Sequence, residues 1–171
     1  MDLSGLVRPL VFLHVLSVFG FLIVHGASVA VAFRLRSERD RAGVRAMLGL
    51  SNAYVGLLYT ALMGILLTGI LAGIAVGWWT SGRLWIWAAL ILLIGIIVAM
   101  YPLGVGHMDN LRQAVGVPIY ADRKKDPSEL PPQASDEELA ALLISPRPIQ
   151  AAVVGLGGIV IITWLMMFKP F

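Results

Sequence analysis

The chain has 171 residues, 58% of them hydrophobic and only 13% charged, and its mean hydropathy of +0.85 is too high for a soluble domain, which needs more charge to cover its surface. With no cysteine, disulfides, thiolate metal centres and cysteine nucleophiles are excluded. The net charge of +3 would suit nucleic acid, but most basic residues flank apolar segments, as membrane topology requires, so nucleic-acid binding is set aside.

The first apolar run, about residues 9–33, is long enough to cross a bilayer and carries two of the three histidines, His14 and His25. At roughly 100° per residue their spacing puts both on one helix face, with Ser17, Phe21 and Ser28 between and beside them. Such a seam predicts contact with protein, not lipid. Ala30-Val31-Ala32 resembles a cleavage site, but the apolar core is about twice the 7–15 residues of a signal peptide, so a retained helix is expected. Arg34, Arg36, Arg39, Arg41 and Arg45 then crowd a short loop, which predicts a cytoplasmic position and an N-terminus outside.

The second span is expected at about 48–76. Gly69, Gly73 and Gly77 repeat every four positions and predict a helix-packing face. Asn52, Gly56, Tyr59 and Met63 form a second stripe, the expected partner of the histidine seam. Trp78 to Arg83 form a tight outer turn, and Trp85 and Trp87 open the third span, about 84–105. With Trp164 near the end of the last span, all five tryptophans fall at the outer face, the headgroup level that indole favours. Pro102, Gly104 and Gly106 predict a kink or an early end of the third span, which leaves His107 near the inner interface.

Residues 109–147, rich in acids and prolines and including Arg123-Lys124-Lys125, are expected to be a cytoplasmic loop. Within it, Ser135 followed by Glu138 predicts a capping box opening a short helix at about 136–144, whose leucines cover the cytoplasmic end of the bundle. The fourth span, about 149–168, contains Gly155 and Gly158 and no ionisable residue, and reads as a packing helix.

Ionisable side chains inside spans are functional hypotheses by default, so His25, His14 and His107 are the candidate cofactor ligands, for a b-type haem. A two-haem arrangement with bis-histidine ligation needs four histidines, and the chain has three. If the third helix ends at Gly106, His25 and His107 differ in depth by roughly 10 Å. Met63 or Met100 could pair with His25 instead. The bland alternative has His25 bonded to Tyr54 or Tyr59 and His14 bonded to Ser or Thr side chains or water, fixing register between helices. No cluster with the ligand count for zinc or copper is visible.

The Leu13-His14-Val15 start, His25, the arginine-rich first loop and the glycine-rich second helix resemble a family of small bacterial four-helix integral membrane proteins of unknown function. That family is distantly similar to copper-resistance D type proteins and to haem-b four-helix membrane proteins, and the resemblance covers about residues 9–115. The reading as a whole is an all-α, polytopic, single-domain bundle of four transmembrane helices in the inner membrane, with both termini outside. Its expected role is non-catalytic, an accessory or scaffold subunit packing against other helices through Gly69, Gly73, Gly77, Gly155, Gly158 and Tyr59, without a cofactor. The alternative is a haem-b electron-transfer protein with His25 as axial ligand.

Overall fold

In a backbone surrounded by hydrocarbon every N–H and C=O must be satisfied within its own segment, which an apolar helix does. The computed structural model describes residues 4–119, 122, 126 and 131–171. The Arg123-Lys124-Lys125 cluster lies outside them. Among the described residues there are helices and no strands. They are α1 (Val7–Leu35), α2 (Arg41–Ala53), α3 (Val55–Val76), α4 (Leu84–Met100), α5 (Gly106–Ala114), α6 (Asp136–Leu143) and α7 (Arg147–Phe168). Four stretches, Val7–Leu35, Arg41–Val76, Leu84–Ala114 and Asp136–Phe168, are long and apolar enough to cross a membrane, which is consistent with a multi-pass membrane protein.

The second stretch begins earlier than its hydropathy suggests. Asp40 caps α2 by accepting from the backbone N–H groups of Ala42 and Gly43, and Val44, Leu48 and Ser51 form its buried face. A jog at Tyr54 then passes the chain into α3. Gly77 closes α3 in the left-handed conformation (φ 73°), so it is a C-cap; a Cβ there would meet nothing within 4 Å, and it is not the packing residue its spacing implies.

Pro102 does not end the third span. Its ring removes a donor and would clash in an α-helical turn, and the backbone answers by widening into a π-helical turn over Tyr101–Val105, after which α5 continues to Ala114.

Packing is dense within two pairs, α1 with α3 and α4 with α7, and sparse between the pairs. In the first pair the seam of α1 lies on small residues of α3. A Cβ at Gly69 would come within 3.0 Å of His14 Cε1, one at Gly64 within 2.5 Å of Ser17 Oγ, and Gly20 faces Ala61. Of the stripe expected to receive the seam, Asn52 and Tyr59 share a cavity with His25 and Ser28, whereas Met63 is half exposed and Gly56 faces open space. In the second pair a Cβ at Gly158 would collide with Ile96.

The largest buried apolar cluster lies at the arginine end of the bundle. Leu35, Val44, Leu48, Leu111, Val115, Leu139 and Leu143 form it, so the leucines of α6 do cover that end. Ser135 and Glu138 make the reciprocal capping box of α6. Arg41 staples the cap, donating to the carbonyls of Ala114 (3.2 Å) and Ala134 (2.8 Å) and to Asp136 Oδ1 (2.8 Å), and Arg36 donates to the carbonyl of Ser145.

Candidate functional site

Because the two pairs do not close tightly on one another, cavities lie between them, each lined by all four membrane-length stretches. The cavity toward the arginine end has a volume of about 140 Å³ and brings His25 and His107 to one space, together with Met100, Ser51, Asp109 and Arg112. Continuation of the third span through the π-helical turn removes the basis of the expected depth difference between the two histidines. His107 is only 2% exposed and so is buried among the helices.

His25 does not bond to a tyrosine. Its ring stacks on Phe21, with centroids 5.2 Å apart and planes 9° from parallel, and its Nε2 is buried without a hydrogen-bond partner. That nitrogen points at α7, where a Cβ on Gly155 would lie 3.2 Å from it and 3.7 Å from Met100 Sδ. Gly155 is therefore the residue that makes room for His25. His107 Nδ1 is likewise buried and partnerless. Beside them Arg112, 5% exposed, donates to Asp109 Oδ1 (2.7 Å) and to Ser51 Oγ (3.3 Å). The Asp109–Arg112 spacing on one helix was available to sequence reasoning as an i,i+3 ion pair, but its burial depends on the π-helical turn.

These residues include donors of the type a haem takes, and the cavity between them is small. A cofactor-sized ligand asks for roughly 300–1,000 Å³, against about 140 Å³ in this cavity. The two partnerless nitrogens are moreover closed in by protein. Among the described residues no group of three or more His, Asp or Glu side chains converges as a metal site would require.

The cavity toward the tryptophan end is larger, about 320 Å³, and its wall is almost wholly apolar. His14 lines it. Its Nδ1 is 3.1 Å from the carbonyl oxygen of Ile65 and 3.2 Å from Thr68 Oγ1. A carbonyl can only accept, so Nδ1 carries the proton and Nε2 is the bare nitrogen. This is the register-fixing contact with a threonine that the sequence allowed for. Gly69 stands on the same wall. A Cβ at Gly73 would run into the Trp79 indole, which itself donates to the Ile70 carbonyl at 3.1 Å. The mouth is aromatic: Trp78 meets Trp85 and Trp79 meets Trp87 edge to face, at 5.1 and 4.9 Å. The ammonium of Lys169 sits 4.9 Å from the Trp78 ring and 5.7 Å from the Trp85 ring.

Set against models of protein families, against curated proteins and against solved structures, the chain matches none of them.

Proposed function

We propose that the chain is a small non-catalytic integral membrane protein of the cytoplasmic membrane, working as an accessory or scaffold subunit of a membrane complex. The observation that carries the reading is the seam between its two helix pairs. A bundle built to stand alone closes such a seam with small residues, whereas here the described glycines that meet neighbouring helices are used chiefly within the pairs and the halves are tied together mainly through the cap at the arginine end. A stripe of large apolar side chains on α4 and the start of the π-helical turn, Ile91, Ile94, Val98 and Tyr101, remains 50–70% exposed and offers a partner helix one continuous face. The arginine-rich loop supports an orientation with the tryptophan end and both termini outside.

A photo-activatable residue at Val98 or Tyr101, irradiated in native membranes, tests the reading. A discrete protein adduct at these positions, absent from a control at Ala61 inside the first pair, is the expected result. Irradiation that yields no protein adduct at either exposed position overturns it.

A further inference from the structure

We propose that the cavity at the tryptophan end is a binding site for one anionic phospholipid, with an acyl chain between the helix pairs and the phosphate at Lys169. Three observations converge on this occupant. The first is volume and lining: about 320 Å³ walled by side chains such as Leu90, Leu93 and Ile162 accepts a flexible hydrocarbon tail, which the surrounding bilayer supplies without cost of desolvation.

The second is the polar content of the mouth. Trp85 is 3% exposed, yet its indole N–H is buried and donates to no acceptor. Next to the same ring stands the Lys169 ammonium. Lys169 is the C-cap of α7, in the left-handed conformation (φ 47°), and its ammonium stands beside the two tryptophans. The exposed Lys169 ammonium at this mouth fits a head group that is rich in acceptor oxygens.

The third is charge. Arg8, Arg83 and Lys169 lie at this end, whereas every described acidic side chain, from Glu38 and Asp40 to Asp109 and Asp136 to Glu138, lies in the segments at the other end. The main-chain oxygen of Phe171 is already taken by the backbone N–H of Trp85. Among the described residues no acidic side chain opposes these cations at this end, and a phosphate oxygen gains a charge-assisted hydrogen bond from Lys169.

The test uses the full-length chain, stripped of lipid in mild detergent and titrated with phosphatidylglycerol, phosphatidylethanolamine or palmitate while native mass spectrometry counts bound molecules. The expected result is one phosphatidylglycerol per chain, held about tenfold more tightly than phosphatidylethanolamine, a difference that Lys169→Gln abolishes. Ala89→Leu, which adds bulk to the cavity wall, weakens all lipid retention. Lys169 is exposed, so its variant reads the head-group contact even where Ala89→Leu fails to fold. Equal retention of the two phospholipids, an unchanged preference in Lys169→Gln, or displacement of phosphatidylglycerol by equimolar palmitate overturns the proposal.

Discussion

His14 of α1 and Gly69 of α3 are in contact at a point where no side chain fits: a Cβ on Gly69 would sit 3.0 Å from His14 Cε1 and 3.2 Å from Nδ1. The same Nδ1 is held against this face of α3 by the Ile65 carbonyl and Thr68 Oγ1, so the imidazole moves away only by giving up those bonds. Gly69→Val should therefore force the first pair apart and destabilise it by about 1–3 kcal/mol. His14→Phe should cost less, about 0.6 kcal/mol for the lost interhelical hydrogen bond. Thermal unfolding in detergent ranks the two, and a Gly69→Val variant as stable as the parent would contradict the packing described.

Arg41 holds the cap at the arginine end through carbonyls more than through its ion pair. Asp136 is 94% exposed, and an exposed pair of this kind is worth less than about 1 kcal/mol. The carbonyls of Ala114 and Ala134, by contrast, lose a charged donor when Arg41 is removed, at a cost of about 1–3 kcal/mol. Arg41→Ala should accordingly speed proteolysis at residues 131–147 strongly and Asp136→Ala only slightly. Arg41→Lys should resemble Arg41→Ala, because an ammonium cannot span acceptors on both segments as the planar fork does.

The start of α2 carries an acid-sensitive contact. The Glu38 carboxylate accepts from the backbone N–H groups of Asp40 and Arg39, which hold it below the usual carboxylate range. A group with a depressed folded pKa contributes stability above its unfolded pKa and loses it as pH falls through the folded value. Amide exchange at the start of α2 should therefore accelerate only in acid below the ordinary glutamate range. Glu38→Gln should flatten that dependence, and an undiminished acid acceleration in the variant would assign it to another group.

The chain has no cysteine, so single-cysteine labelling reports topology without background. Ser81→Cys in the tryptophan turn should react with a membrane-impermeant maleimide in intact cells. Ser37→Cys in the arginine loop should react only after permeabilisation. The reverse pattern would invert the orientation.

The four membrane-length stretches and the capping box of α6 were legible in the sequence because each depends on local pattern: apolar length, arginine flanks, Ser135 with Glu138. The site was less so. Pro102 reads as a terminator when only α-helical geometry is considered; a π-helical turn accommodates it and carries His107 onward to the cavity of His25. On α3 two faces offered small residues at helical spacing. Which one meets His14 and Ser17 is decided by tertiary packing, through Ala61, Gly64 and Gly69, and not by the stripe through Gly56 and Met63. The cap joins Leu35, Val44, Leu111 and Leu139 across about a hundred positions of sequence, beyond the reach of any periodicity.

The scaffold reading predicts no Soret band in a reduced-minus-oxidised spectrum of the purified chain. A band that disappears in His25→Ala would restore the haem reading.

Native electrophoresis of an epitope-tagged chain, extracted from its own membrane in mild detergent, tests the subunit role most directly. Migration in a discrete species well above the 18.5 kDa chain with its detergent, collapsing to the monomer when Val98 and Tyr101 of the exposed apolar stripe are replaced by tryptophan, is the predicted result. A chain that runs only as a monomer, with or without those replacements, would contradict it.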